Sequence, residues 1–133
     1  MSQENVEIVR RAFEAFNRGD LDAAVVDLAA DCEYTSSGAI PGTTDTYRGP
    51  EGYKRFAGWL LDQFDDVRIE LNEIIGEGDQ VVISVTNHGR GKRSGVEATW
   101  DVWQVWTFRD AKAVQGEGFT NRDAALEAAG LSE

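Results

Sequence analysis

The chain has 133 residues, of which 41% are hydrophobic and 28% charged, with a formal net charge of −11 at pH 7. That length and balance suit one soluble globular domain with a single core rather than a disordered chain. The acidic excess argues against nucleic acid and anionic membrane surfaces, which need a basic face, and the short cluster Arg90, Lys92 and Arg93 does not reverse it.

In chain order, Val6, Val9, Phe13 and Phe16 fall at helical spacing, with Ile8 and Ala12 widening the stripe. Gly19 stops this helix, and Asp20 caps a second one carrying Leu21, Ala24, Val25 and Leu28. A loop rich in Gly, Ser, Thr and Pro runs over 35–49, and Pro50 suits the first turn of a third helix with the stripe Tyr53, Phe56, Leu60 and Phe64. From Val67 the apolar period changes to two. "GEGD" at 76–79 is a turn, "GRGKRSG" at 89–95 a glycine-rich connection, 96–108 a long strand, "RDAK" at 109–112 a turn and 113–120 the last strand. Asn121 caps a short closing helix that Gly130 ends, with Leu131 placed against Leu126. Helices first and a meander afterwards predict an α+β fold for a single domain spanning 1–133.

Several motifs fail. Cys32 is the one cysteine, so no intrachain disulfide forms, and its flanking Asp31 and Glu33 disfavour a thiolate. His88 is the one histidine, which leaves zinc sites with repeated histidines and Asp–His–Ser relays without partners. Thr86 stands where a phosphate loop needs its first glycine, and the acids 62, 65 and 66 do not match a calcium loop. No metal and no cofactor is expected. No signal-peptide pattern or membrane-length apolar run is present in the sequence, so the expected location is cytoplasmic.

The strings "AFNRGDLDAAV" (15–25), "YRGPEGYKRF" (47–56), "VWTFRDAK" (105–112) and "NRDAALEAAGL" (121–131) resemble the nuclear-transport-factor-2-like superfamily, in its SnoaL-like, polyketide-cyclase-like branch. The resemblance implies a cone-shaped α+β barrel: a curved mixed or antiparallel sheet wrapped round three N-terminal helices, with a short C-terminal helix and a pocket at the open end. It also implies pairing of two copies through the sheet's outer face. One departure is Ala111, where the family usually has glycine.

Matching the chain to the ketosteroid isomerases of this superfamily on "GDLD" (19–22) and Phe108 puts their base at Ser36, their tyrosine at Ala12 and their acid at Gln104. None of the three can play its part, so that activity is excluded. The same match sets the phase of the stretch "TWDVWQVWTF" (99–108). Trp100, Val102, Gln104, Trp106 and Phe108 face inward, while Asp101, Trp103, Val105 and Thr107 face outward. The implied ligand pocket comprises Tyr34, Ser36, Phe56, Trp59, Leu60, Asn87, Trp100, Gln104, Trp106, Gly116, Gly118 and Thr120. Gly116 and Gly118 are read as leaving space opposite the indoles. Trp103 and Val105 form the implied homodimer interface. Asp101 is the reserve catalytic candidate, acting only if the strand phase shifts by one or a bulge turns it inward. The resemblance therefore implies a protein that binds a small hydrophobic or aromatic ligand. Its enzymatic form is a cyclase, isomerase or hydrolase acting on a polycyclic or aromatic metabolite. A non-catalytic dimerisation module with a small or filled cavity is the alternative.

Overall fold

The computed structural model describes residues 2–36 and 46–131. Helix α1 (Ser2–Asn17) lays Ile8, Val9, Phe13 and Phe16 against the core and ends before Gly19, whose φ is +83°. Asn17 pins its end to the sheet: the side-chain amide donates to the Ile69 carbonyl and accepts from the Ile69 N–H, both at 2.8 Å. Asp20 caps α2 (Leu21–Ala24) by accepting from the Ala23 N–H at 3.1 Å. This helix is one turn, shorter than the expected run to Leu28. The β-branched pair Val25–Val26 propagates a helix poorly, and Leu28 pairs with Ala113 as the first residue of a strand.

Strand β1 (Leu28–Thr35) and the three-residue β2 (Thr46–Arg48) pair antiparallel, with Arg48 and Glu33 in an ion pair of 2.6 Å. Strand β2 falls inside the segment expected to be loop. Helix α3 (Gly49–Gln63) opens with Pro50 in its first turn. Gly49 has φ +71°, and a Cβ there would meet the Ala30 carbonyl oxygen at 2.8 Å, so glycine is required. Phe64 does not extend the helical stripe; it is the first residue of β3, entered with no intervening turn.

The strands β3 (Phe64–Glu77), β4 (Gln80–Gly91), β5 (Glu97–Arg109) and β6 (Lys112–Phe119) form the expected meander. Strand β4 continues through Gly91, so only part of "GRGKRSG" is connection. The β5–β6 turn places Asp110 at φ 52° and Ala111 at φ 63°. Two successive left-handed residues suit the twist of a hairpin and normally call for glycine or asparagine. The sheet order is β2-β1-β6-β5-β4-β3, antiparallel except for the parallel β1–β6 pair. It is a mixed sheet that does not close into a barrel, with β2 and β3 at its edges.

One face of the sheet buries the main core against α1 and α3: Tyr34, Val81, Ile83, Val85, Val102, Trp106 and Phe108 pack with Ile8, Val9, Phe56 and Leu60. A smaller core lies on the opposite face, where α4 (Arg122–Ala128) presses Ala125 and Leu126 onto Val82 and Val105. Asn121 caps α4 at 2.8 Å, Gly130 has φ +76°, and the Leu131 N–H closes the end on the Leu126 carbonyl.

Candidate ligand chamber

Two small voids adjoin between the sheet and the helices. The first, about 60 Å³, lies between Val9, Ala12 and Phe13 of α1 and the chain at Leu28, Phe108 and Ala113. The second, about 20 Å³, is walled by Phe56 and Leu60 of α3, Val85 and Asn87 of β4, and Val102 and Gln104 of β5. Phe13, Phe16, Tyr53 and Ile69 border both and form the partition. These residues meet because the apolar stripes of α1 and α3 lie over the inward phase of β4 and β5.

The polar groups of this interior are directional. An indole N–H can only donate, and Trp106 Nε1 donates to Gln104 Oε1 at 2.8 Å. That fixes the amide: Gln104 Nε2 then donates to the Tyr34 hydroxyl at 3.1 Å. Tyr34 stacks on Trp106 with ring centres 5.4 Å apart and meets Tyr53 edge-on at 5.2 Å. Burial first, and then the neighbouring Tyr53, pushes the Tyr34 phenol well above its usual range. Burial also pushes Tyr53 up. Cys32 is raised to about 11, by burial first and then by Asp31 and Glu33. All three are neutral near pH 7. Asn87 is only 3% exposed and faces the second void.

The structure distributes the expected pocket residues unevenly. Phe56, Leu60, Asn87 and Gln104 line the second void and Trp106 the first. Tyr34 and Ser36 are buried, and Tyr34 reaches the group through Gln104. Gly118 is buried opposite Gln104. Gly116 does not leave free space: it pairs with Trp106, and a Cβ there would fall 2.5 Å from the indole ring. Trp106 therefore fills the space that the glycine opens. Trp100 is half-buried on Phe64, with ring centres 5.1 Å apart, and lies outside both voids; its N–H is enclosed without a partner among the described residues. Trp59 is 36% exposed, because it sits about 90° round α3 from the buried face of Phe56 and Leu60. Thr120 is exposed beyond the end of β6, next to the cap of α4.

Asp101 projects from the outer face, where its carboxylate accepts from the Thr86 hydroxyl at 2.7 Å, and Thr86 accepts from Asn72 at 2.8 Å. Val105 is buried beneath α4 in the single chain, while Trp103 is half-buried beside it. The sequence reading missed Val9, Phe13, Phe16, Tyr53 and Ile69 as void-lining residues. Their stripes were legible as core, and a helix covering the inward phase of β5 must border any gap left there. Asp27 was missed too: it borders the first void and pairs with Arg11 and Lys112, each at 3.8 Å. Among the described residues no group of three or more His, Cys, Asp or Glu is placed to hold a metal ion, and no helix is long and apolar enough to cross a membrane.

Comparison with solved structures finds the same architecture repeatedly. A nuclear-transport-factor-2-like protein of unknown function from Burkholderia pseudomallei is 25% identical, with 93% of this chain and 95% of that chain covered, at a TM-score of 0.79. Another such protein, from Burkholderia thailandensis, is 26% identical over 96% and 95% of the two chains, at 0.78. TerC, co-crystallised with polyporic acid, is 27% identical over 93% and 96%, at 0.77. No curated protein matches. The sequence profile of the SnoaL-like domain matches residues 9–116, a span from the first helix to the last strand, and the chain belongs to that family.

Proposed function

We propose that the protein binds a small, flat, largely apolar molecule in the chamber under α1 and α3, where Asp27, paired with Arg11 and Lys112, is the one carboxylate among the described lining residues. The carrying observation is the pair of amides, Asn87 and Gln104, set in an otherwise apolar and aromatic wall. Tyr34, Tyr53 and Cys32 hold their protons too tightly to act as bases at neutral pH. The likeness to TerC, co-crystallised with polyporic acid, supports a small-molecule ligand. Voids of about 60 and 20 Å³ are below the volume that drug-sized ligands occupy, roughly 300 Å³ or more. A guest must therefore turn Phe13, Phe16 or Tyr53 aside and merge the two. A nuclear-magnetic-resonance screen with neutral bicyclic aromatic ketones tests this. The side-chain amide signals of Asn87 and Gln104 are expected to shift; no shift at millimolar probe overturns the reading.

The small size of the voids favours a second reading, an interaction module that pairs two copies through the outer face of the sheet. Trp103, half-buried beside the polar strip of Asn72, Thr86 and Asp101, is the anchor of that interface. Trp103→Arg is expected to convert a dimer into monomers, read by sedimentation. A wild-type monomer at micromolar concentration removes this reading.

A further inference from the structure

The two amides of the chamber stand at opposite ends of one apolar band. Along β4 and β5 the inward pairs run in the order Ile83–Gln104, Val85–Val102, Asn87–Trp100. Gln104 and Asn87 thus lie four residues apart along the sheet, about 13 Å between backbone positions, with Val85 and Val102 between them and Phe56 and Leu60 above. At one end the Trp106 N–H fixes the Gln104 amide, which donates to Tyr34, and Tyr53 meets the Tyr34 ring edge-on beside it. Tyr53 borders the same void, and its phenol, held protonated by burial, can donate to a guest. At the other end Asn87, only 3% exposed as a residue, turns its side chain to the void. An amide that faces a void offers both a donor and an acceptor to a polar atom on whatever enters.

Among the described residues no charged side chain lines the second void, and Asp27, at the first, is already paired with Arg11 and Lys112. An amide and a phenol do not offset the cost of stripping water from an ion, whereas they match neutral carbonyl and hydroxyl groups well. We infer that the chamber selects an uncharged, flat molecule with an oxygen at each end, one for Asn87 and one for the Gln104–Tyr53 end, and discriminates against the corresponding carboxylate. This inference rests on the ligand-chamber reading and sharpens it to a ligand class.

Calorimetry with four probes of one ring size separates the two claims: 6-hydroxy-1-tetralone, 1-tetralone, tetralin and 1-oxotetralin-6-carboxylate. The hydroxyketone is expected to bind tightest, with each lost oxygen weakening binding about tenfold and the carboxylate weaker than all three. Asn87→Leu should erase the difference between the hydroxyketone and 1-tetralone. Should the leucine variant fail to fold, Asn87→Ser, which shortens the side chain away from the guest, carries the same selectivity test. Equal binding of the three neutral probes overturns the oxygen-at-each-end inference and leaves the chamber standing, as does tight binding of the carboxylate. An absence of binding by all four overturns the chamber reading and the inference with it.

Discussion

The two faces of β5 differ in chemistry although they alternate along one strand. Inward, Val102, Gln104, Trp106 and Phe108 are buried and carry no group that ionises near neutral pH. Outward, Asp101 is exposed and hydrogen-bonded to Thr86, and on the next strand His88 meets Glu70 at 3.0 Å. The groups of the sheet that could move protons thus stand on the solvent face, and the groups that could enclose a ligand stand on the other. The difference teaches that the fold and the reaction are separate questions here: an identical sheet with a carboxylate at the Gln104 position would present a base to the same chamber.

The largest expected effect tests the inner face. Gly116→Ala should destabilise the protein by about 1–3 kcal/mol, because its new Cβ would lie 2.5 Å from the Trp106 ring and the indole must move. Moving it also strains the bond that fixes Gln104. Thermal unfolding checks the loss, and a variant as stable as wild type would show that the indole is not locked.

Next comes the alkaline limb of stability. In the unfolded chain the Cys32 thiol ionises near 9.0; in the fold it holds its proton until about 11. Between those values the native state binds more protons than the unfolded one, so stability falls as pH rises through the window and does not change below it on this account. The loss is on the order of 2 kcal/mol. Tyr34 and Tyr53, raised by burial, add to it at higher pH. Denaturant unfolding of wild type and Cys32→Ala from pH 8 to 11 should show a shallower fall in the variant. Outer-face carboxylates, already ionised there, contribute nothing to this limb.

A smaller and opposite change is expected where the two strands join. Ala111 at φ 63° occupies a conformation that glycine adopts without strain. Ala111→Gly should stabilise the hairpin by about 0.5–1 kcal/mol, measured as a rise in the thermal midpoint, and it should not alter ligand affinity.

The contrast between the faces was largely legible in the sequence, because a period of two on a long strand assigns each side chain to a face once one residue is placed. The capped helices were legible for a similar reason: Asp20 and Asn121 carry their capping chemistry with them. Contacts set by register were not. Gly116 reads as vacant space until the pairing of β5 with β6 puts Trp106 over it. Val105 reads as an open interface residue until α4 folds back across it. Trp59 reads as a pocket lid until the rotation of α3 is fixed by Phe56 and Leu60. Asn17 gives no local sign that its amide will bind both backbone groups of Ile69, 52 residues away. Each of these depends on how separate elements meet, which local patterning does not encode.

The smallest expected effect bears most directly on the division between faces. Asp101→Asn retains the oxygen that accepts from Thr86 and removes only an exposed charge. Stability should stay within about 0.5 kcal/mol of wild type, and the affinity for neutral probes should be unchanged within error. Any turnover found for this protein should also survive, since a carboxylate on the outer face reaches the chamber only through the sheet. General acid–base catalysis by Asp101 would instead make the substitution cost about 10²–10⁴-fold in rate. A loss of that size, with stability intact, would mean that the working form of the protein presents Asp101 to a substrate on the outer face, and the site would have to be sought there rather than beneath α1 and α3.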